Sequence, residues 1–196
     1  MIKRQKLLIL GAGGHGKAVA EAALLSGKWH DIAFVDDCWP HKSTVFGINV
    51  VSNIEGLTQI ASEWTAATPA IGNNALRQQW MRVINSVNMP MATVIHPSAC
   101  VSSSAIIGSG TAIMALAMIG VDVHIGECSI INAHSTVDHD VRLGDFVHLG
   151  VGVHLAGGVQ VGSNVWLQVG CCAGYGVVVA DNEMRMPGTV LCSVCP

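Results

Sequence analysis

Residues 119–154 read IGVDVH IGECSI INAHST VDHDVR LGDFVH LGVGVH, and this stretch decides the fold. Every sixth residue is a branched aliphatic. The same phase extends in both directions, from Ile95 to Val179, and fourteen of the fifteen residues at this position are Ile, Leu or Val. A helix repeats every 3.6 residues and a simple strand every 2, so neither explains the pattern.

A period of six indicates a solenoid in which short flat strands stack into a triangular prism. Each hexad forms one face, its aliphatic residue points inward, and three hexads complete a coil. The fifteen hexads therefore predict about five coils with no long loop between them. Arg185 breaks the phase, so we expect the coil to break down at Glu183–Pro187.

Residues 5 to about 90 have a different sequence pattern, in which short apolar runs alternate with helical stretches. This alternation predicts a small parallel sheet of Rossmann type. The predicted strands are Lys6–Leu10, Ile32–Asp36 and Ala67–Gly72, and the predicted helices are Gly16–Leu25, Ile54–Glu63 and Ala75–Ser86. Met89-Pro90 lies near the boundary, so we predict an α/β domain over residues 1–90 and an all-β prism over residues 91–196.

Composition excludes several classes of protein. A net charge of −3 lacks the positive excess that is typical of nucleic-acid-binding proteins. No apolar run approaches the roughly 20 residues of a membrane-spanning helix. The seven scattered cysteines suggest reduced thiols, and Leu7–Leu10 is too short for a signal-peptide core, so we expect a cytoplasmic protein. With 51% hydrophobic residues, a single prism exposes aliphatic surface that a homotrimer would bury.

The segment Val137-Asp138-His139-Asp140 carries the clearest chemistry in the prism. A histidine has a near-neutral pKa that suits a general base, and a neighbouring carboxylate can orient its ring and stabilise its charged form. If His139 is such a base, the rate should fall in acid with a limb near its ordinary pKa of about 6.5. The alternative is a corner histidine that only caps backbone groups. The residues alone allow either Asp138 or Asp140 as the partner.

A glycine-rich turn follows the first predicted strand. Gly11-x-Gly13-x-x-Gly16, with Asp36 twenty residues beyond, has the spacing of a dinucleotide fingerprint. The domain is too small for a complete doubly wound fold, which argues against a dehydrogenase. These glycines still allow backbone N–H groups to approach an anion at a helix N-terminus.

Five motifs occur here in a characteristic order and spacing: Gly11-Ala12-Gly13-Gly14-His15-Gly16-Lys17, Phe34-Val35-Asp36-Asp37, Ile71-Gly72-Asn73-Asn74, Ile95-His96-Pro97-Ser98-Ala99 and Val137-Asp138-His139-Asp140. Together they resemble the left-handed parallel β-helix, or hexapeptide-repeat, acetyltransferases of the bacterial sugar O-/N-acetyltransferase subfamily. That subfamily includes UDP-4-amino-sugar and GDP-perosamine N-acetyltransferases and sialic-acid O-acetyltransferases. The resemblance implies acetyl-CoA as co-substrate, no metal, a sugar or nucleotide-sugar acceptor, and a homotrimer with its sites between neighbours.

The resemblance also implies roles for particular residues. His139 is the base and Asp140 its partner, while His148 and Gly157 lie near the thioester. An N–H of Gly157 that faces the acetyl oxygen would stabilise the developing oxyanion. The implied acceptor-binding residues are Asn132 in the prism and Gly13, His15, Lys17, Asp36, Asp37 and Asn73 in the N-terminal domain. The family usually continues into a tail that helps to enclose CoA, so we expect an incomplete adenine end of that site.

Two further interpretations stay open. His134 and His139 form a His-x4-His pair that resembles the zinc pair of γ-class carbonic anhydrases, although Ser98 occupies the place of the third histidine. A trimeric scaffold that has lost activity is the other, because the last coils are altered. The sequence does not distinguish an amine acceptor from a hydroxyl, nor one nucleotide from another.

Overall fold

A computed structural model describes residues 5–192 of the chain. The elements of the N-terminal half are β1 (Lys6–Leu10), α1 (Gly14–Ser26), β2 (Asp31–Val35), β3 (Thr44–Val45), β4 (Ile48–Ser52), α2 (Leu57–Ile60), a 3₁₀ turn (Ala61–Glu63), β5 (Ala66–Pro69) and α3 (Asn74–Ser86). The five strands form one sheet of order β3-β4-β2-β1-β5, parallel except for β3.

The central strand explains why this sheet is covered on both sides. Successive residues of a strand face opposite sides, and Leu7 to Leu10 in β1 are all fully buried. Leu7 and Ile9 pack in the cluster that contains α1 residues such as Val19, whereas Leu8 and Leu10 pack with Trp80 of α3. An uninterrupted apolar run is what a strand buried on both faces requires.

One predicted helix of this half was wrong in detail, and one hairpin was not predicted. The helix predicted at Ile54–Glu63 is shorter, because the Asn53 side chain accepts a hydrogen bond from the Gly56 N–H at 2.9 Å and forms a turn there. The β3–β4 hairpin was not predicted. It turns at Phe46 and Gly47, which both have positive φ, and its two-residue first strand is too short to show a period.

The C-terminal half is the predicted prism of two-residue strands spaced six residues apart. Face 1 consists of β6 (Val94–Ile95), β9 (Ala112–Ile113), β12 (Ile130–Ile131), β15 (His148–Leu149), β18 (Trp166–Leu167) and β21 (Met184–Arg185). Face 2 consists of β7 (Cys100–Val101), β10 (Met118–Ile119), β13 (Thr136–Val137), β16 (His154–Leu155), β19 (Cys172–Ala173) and β22 (Val190–Leu191). Face 3 consists of β8 (Ile106–Ile107), β11 (His124–Ile125), β14 (Arg142–Leu143), β17 (Gln160–Val161) and β20 (Val178–Val179).

Each strand of the prism pairs in parallel with the strand one coil away. Ile131, for example, lies between Ile113 and Leu149. The second residue of a strand points inward, so these three side chains are fully buried and stack along the axis. Burying one such aliphatic side chain contributes about 1.5–3 kcal/mol, and the repeat multiplies that gain from coil to coil.

The expected breakdown of the coil at Glu183–Pro187 was wrong. β21 and β22 continue the prism, and the N–H groups of Trp166 and Gln168 donate to the carbonyls of Glu183 and Arg185. These ladder bonds are made by the backbone, so the coil tolerates a polar side chain at the inward position of β21. Arg185 is half-buried and pairs with Glu183.

The N-terminal domain packs against face 1 and the corners beside it. Ala12 shares an apolar cluster with Ala112 and Met114, and Asn74 donates from Nδ2 to the carbonyl of Asn164 at 2.9 Å. Over residues 5–192, none of the helices is both long enough and apolar enough to span a bilayer. The six described cysteines are free thiols, and Cys195 lies outside the described residues.

Candidate active site

His139 lies on the corner between faces 2 and 3, two residues after the end of β13. Its Nδ1 is 2.8 Å from Oδ2 of Asp140, and the ring is about half exposed. Asp140 occupies the left-handed position of the corner with φ of 60°, a conformation that Asp tolerates better than most residues. Because a carboxylate only accepts hydrogen bonds, Nδ1 carries the proton and Nε2 has a free lone pair in the neutral ring.

Both flanking carboxylates favour the protonated form of this imidazole. The hydrogen bond to Asp140, with the negative charge of Asp138, raises the pKa of His139 above its ordinary value. Asp138 also accepts the backbone N–H of His139 at 2.8 Å, which fixes the start of the corner. The sequence allowed either aspartate as the partner of Nδ1, and the structure selects Asp140.

Gly157 lies one coil beyond His139, directly beside its ring. A Cβ built on Gly157 would be 2.6 Å from Nε2 of His139, so a larger residue there would displace the imidazole from this position. The neighbouring Gly158 donates its N–H to the carbonyl of His139 at 3.0 Å. Among the hydrogen bonds of residues 5–192, none uses the N–H of Gly157. The corner therefore combines a proton acceptor with a free backbone donor.

His148 lies in a different environment, at the junction between face 1 and the N-terminal domain. Its Nδ1 is 3.0 Å from the carbonyl oxygen of Gly72, and its ring stacks on Trp166 with centroids 5.5 Å apart. Burial, and then the positive charge of Arg77, lowers the pKa of His148 to about 4. A backbone carbonyl accepts only, so His148 is neutral at pH 7 with its proton on Nδ1.

Arg77 of α3 is fully buried and holds the two domains together. Its Nε donates to the carbonyl of Cys128 at 2.7 Å, and its Nη2 donates to the carbonyl of Phe146 at 3.0 Å. On the other side, Nη1 donates to Ile71 at 2.9 Å and Nη2 to Oδ1 of Asn74 at 2.8 Å. The partners are dipoles without charge, and burial lowers the pKa of Arg77 to about 10.

His15 is the third polar side chain of this junction. Its Nε2 is buried and has no hydrogen-bond partner in the described part of the chain. Burial, followed by the charges of His148 and Arg77, lowers the pKa of His15 to about 3. A buried polar atom without a partner costs about 1–3 kcal/mol, so its retention at the glycine-rich turn is consistent with a ligand contact.

The other sequence-predicted acceptor residues have mixed environments. Asp36 accepts the N–H groups of Ala12 and Cys38 at 2.7 and 2.9 Å. Burial alone would raise its pKa, but these two bonds outweigh it and hold the pKa of Asp36 below its usual value. Asn73 caps α3 by accepting the N–H of Leu76 at 2.9 Å. Asp36 and Asn73 therefore have structural roles, and their contacts with an acceptor stay a prediction.

Four further predicted positions remain to be placed. Gly13 and Lys17 are exposed at the start of α1, and Asp37 is exposed and accepts the N–H of Ile54 at 3.1 Å. Asn132 lies on the corner between faces 1 and 2, where its Oδ1 is 2.9 Å from the N–H of Ala133.

Apart from Asn132, the predicted residues thus form two groups on opposite sides of one prism. His139, Asp140 and Gly157 lie on the corner between faces 2 and 3. The N-terminal residues and His148 lie at face 1, which is the face opposite that corner. His134, the other half of the His-x4-His pair of the zinc alternative, is exposed on the corner between faces 1 and 2. No group of three His, Cys, Asp or Glu suited to a metal occurs within residues 5–192.

Arg77, Asn74 and Trp166 were missed by the sequence analysis. The signal for Arg77 was present, because Arg77, Trp80 and Ile84 have the i, i+3, i+7 spacing of one helix face and are all buried. Trp166 lies one coil beyond His148, and the eighteen-residue period alone would have paired them.

A triangular prism of hexads, with a His–Asp pair at one corner, defines the class of left-handed β-helix acyltransferases. Residues 6–84 match the model of the PglD N-terminal domain. The chain is similar to the acetyltransferase domain of PglB from Neisseria gonorrhoeae, which was solved with acetyl coenzyme A. The two are 34% identical with a TM-score of 0.91, and the match covers 97% of this chain and 94% of that one. The chain belongs to this family of hexapeptide-repeat sugar acetyltransferases.

A second solved structure has the same fold. It is a histidine-to-asparagine variant of perosamine N-acetyltransferase from Caulobacter crescentus, solved with CoA and GDP-perosamine. The sequences are 36% identical, the TM-score is 0.90, and the match covers 97% of this chain and 89% of that one. Among curated relatives, UDP-N-acetylbacillosamine N-acetyltransferase of Bacillus subtilis is 32% identical over 128 residues, or 57% of this chain and 52% of that protein. The chain thus spans about half the length of that relative.

Proposed function

We propose that this chain transfers the acetyl group of acetyl-CoA to an amino group of a nucleotide-activated sugar. The observation that carries the proposal is the His139–Asp140 pair beside the free N–H of Gly157. The names of the relatives support the reaction class, since they are sugar N-acetyltransferases, and two of the neighbouring structures contain acetyl-CoA or CoA.

The proposed reaction is a direct attack of the amine on the thioester. The amine nitrogen forms a bond to the carbonyl carbon, Nε2 of His139 removes a proton from that nitrogen, and the N–H of Gly157 donates to the carbonyl oxygen as it becomes negative. The carbon–sulfur bond then breaks, and the proton held by His139 passes to the leaving thiolate. The products are the N-acetyl sugar and free CoA.

The opposite pKa shifts of the two histidines support this assignment of the base. Asp140 and Asp138 raise the pKa of His139, whereas burial and Arg77 lower that of His148 to about 4. A general base works best with a pKa near the working pH, so His148 is a poor base. Its free Nε2 can only accept a hydrogen bond, which suits an N–H or O–H of a substrate.

The N-terminal domain, residues 1–90, is proposed to bind the acceptor, and residues 91–196 to carry the transfer. α1 begins at Gly14 after the glycine-rich turn, and the N–H groups at the start of a helix attract phosphate. Lys17 is exposed one turn further along and can add a positive charge. Gly13, His15 and Asp37 complete the proposed contacts, with Asn132 of the prism beside the sugar. The adenine end of CoA extends toward the last coils in this proposal.

We also propose a homotrimer, and the positions of the two groups of residues support contact between neighbouring chains. An acceptor bound at face 1 is separated by the prism from His139 of the same chain, so it must reach the His139 corner of a neighbour. Apolar side chains on the outer faces support such contacts: Ile106, Val121, Val178 and Val190 are each more than half exposed. Because the six cysteines within residues 5–192 are free thiols, we propose the cytoplasm as the compartment of this chain.

The test is a screen of UDP-, GDP- and CMP-linked amino sugars, and of sialic acid, with acetyl-CoA. We expect thiol release with an amino-sugar nucleotide, and a trimer in sedimentation at micromolar concentration. Acetylation of hydroxyls alone would contradict the amine acceptor. A chain that is not thermally stabilised by acetyl-CoA would be a scaffold, and hydration of CO₂ dependent on added zinc would favour the carbonic anhydrase interpretation.

A further inference from the structure

Tyr175 lies two coils beyond His139 on the same corner of the prism. The corner position repeats every eighteen residues as Val121, His139, Gly157 and Tyr175. A Cβ built on Gly158 would be 3.8 Å from Cζ and 3.9 Å from Oη of Tyr175. The His139 ring and the Tyr175 ring therefore approach the Gly157-Gly158 corner from opposite sides.

The backbone keeps these three coils in fixed contact. Gly158 donates its N–H to His139 at 3.0 Å, and Gly176 donates its N–H to Gly157 at 3.1 Å. Gly158 has φ of 69°, so the corner between the two rings carries no side chain and needs a left-handed residue. The arrangement is a slot with a backbone floor, an imidazole on one side and a phenol on the other.

We propose that this slot holds the thioester end of acetyl-CoA and that the Tyr175 hydroxyl hydrogen-bonds to the first amide of its pantetheine arm. The proposal rests on the proposed function and adds a donor-binding residue to it. Tyr175 is 74% exposed, so its hydroxyl is open to a ligand. Tyrosine combines an apolar ring with a group that both donates and accepts, which suits a chain of methylenes and amides.

The reach of the arm fits the spacing of the coils. Stacked strands are about 4.8 Å apart. Two methylene groups separate the thioester sulfur from the first amide nitrogen, a span of about one such spacing. With the acetyl oxygen on the N–H of Gly157, the amide therefore falls at the level of Tyr175. On the side of the corner opposite Tyr175 the His139 ring occupies the space. In this proposal the rest of the pantetheine arm therefore extends along the Tyr175 ring.

The chain contains a single tyrosine, which makes a direct binding test possible. Protein labelled with 3-fluorotyrosine should give one ¹⁹F resonance that shifts and saturates as acetyl-CoA is added. Calorimetry on the same sample reports whether acetyl-CoA binds at all. Loss of binding would overturn the proposed function, whereas binding that leaves the ¹⁹F resonance unmoved would overturn only the role of Tyr175.

Kinetics with a truncated donor locate the contact on the arm. Tyr175→Phe should raise the KM for acetyl-CoA by about 2–10-fold, the value of one neutral hydrogen bond, and leave the acceptor KM unchanged. The same factor should appear in kcat/KM with S-acetyl-N-acetylcysteamine, which retains the first amide. A factor seen only with complete acetyl-CoA would overturn the contact with that amide.

A matched control separates donor binding from subunit contact. Leu25 at the end of α1 is 60% exposed, and Leu25→Ala should leave the KM for acetyl-CoA unchanged. Tyr175→Ala should weaken the donor more than Tyr175→Phe does and keep the sedimentation of the wild type. If Tyr175→Ala instead dissociates the assembly while donor binding per chain is retained, Tyr175 is a subunit contact and the inference is wrong.

Discussion

His139 and His148 are nine residues apart on one prism, yet their surroundings have opposite effects. His139 is half exposed between two carboxylates, which raise its pKa. His148 is stacked on Trp166 beneath the N-terminal domain, where burial lowers its pKa to about 4. The prism repeats its backbone from coil to coil, so the difference arises from what covers each position. The corner favours the protonated form of its histidine, and the junction favours the neutral form.

The largest effect is expected when His139, the half-exposed histidine of this comparison, is removed. His139→Ala should lower kcat by about 10²–10⁴-fold, since one positioned base is lost. Acetyl-CoA binding and the oligomer should persist, because the ring lies on an exposed corner and leaves no core cavity. Steady-state kinetics with an active acceptor, together with calorimetry for acetyl-CoA, measure both.

The matched control is His134→Ala, an exposed histidine on another corner, which should keep a rate close to that of the wild type. An equal loss in both variants would point to a shared metal. An alanine variant of His139 within a few-fold of wild type would remove His139 from the mechanism.

The next largest effect is a loss of stability expected at the junction between face 1 and the N-terminal domain. Arg77→Met removes the donors for the carbonyls of Ile71, Cys128 and Phe146 and for Oδ1 of Asn74. Each buried acceptor left unsatisfied costs about 1–3 kcal/mol. Allowing for relaxation, the free energy of unfolding should fall by about 3–5 kcal/mol, measured by urea denaturation.

Two related variants sharpen this result. Arg77→Lys keeps the charge but loses the planar fork, so its stability should lie between those of wild type and Arg77→Met. Arg82→Met, on the exposed side of the same helix, should change the stability by less than about 0.5 kcal/mol. Similar losses at both positions would mean that α3, rather than the Arg77 network, is being destabilised.

The two sides also differ in how far the sequence predicts them. The prism follows from its period of six because each coil contacts only its neighbours, and the Asp-His-Asp corner is contiguous in the chain. The junction brings together His15, Arg77, Cys128 and His148, which no local pattern relates. Arg77 in particular was predicted only as part of the helix Ala75–Ser86, because most of its partners are backbone carbonyls, which every residue has.

The junction predicts a loss of stability in acid. Unfolded histidines have a pKa of about 6.5, whereas the native values are about 3 for His15 and about 4 for His148. Between pH 6.5 and 4 the unfolded state therefore binds protons that the native state does not, and stability falls as the pH is lowered. From pH 7 to pH 5, where carboxylates remain ionised, the loss should be about 1–2 kcal/mol per histidine.

Urea denaturation of the wild type and of a His15→Gln/His148→Gln variant measures this slope. The double variant should lose most of the difference in unfolding free energy between pH 7 and pH 5, whatever its absolute stability. An unchanged slope would mean that both junction histidines bind protons in the native state as readily as in the unfolded state.

The smallest expected effect is a shift along the pH axis at the reactive corner. His139 acts as a base only when it is unprotonated, so kcat/KM should fall in acid through the pKa of its free form. The sequence placed this limb near 6.5, but Asp140 and Asp138 raise the pKa of His139, so the limb should lie at higher pH.

Asp140→Asn removes the stronger influence on the pKa of His139, while its amide oxygen can still accept the Nδ1 proton. The limb should therefore move back toward 6.5 with a modest loss of kcat. Asp138→Asn should move it less, because Asp138 is 3.9 Å from Nε2 and acts by charge alone. A limb that stays in place in both variants would show that another group titrates in the rate.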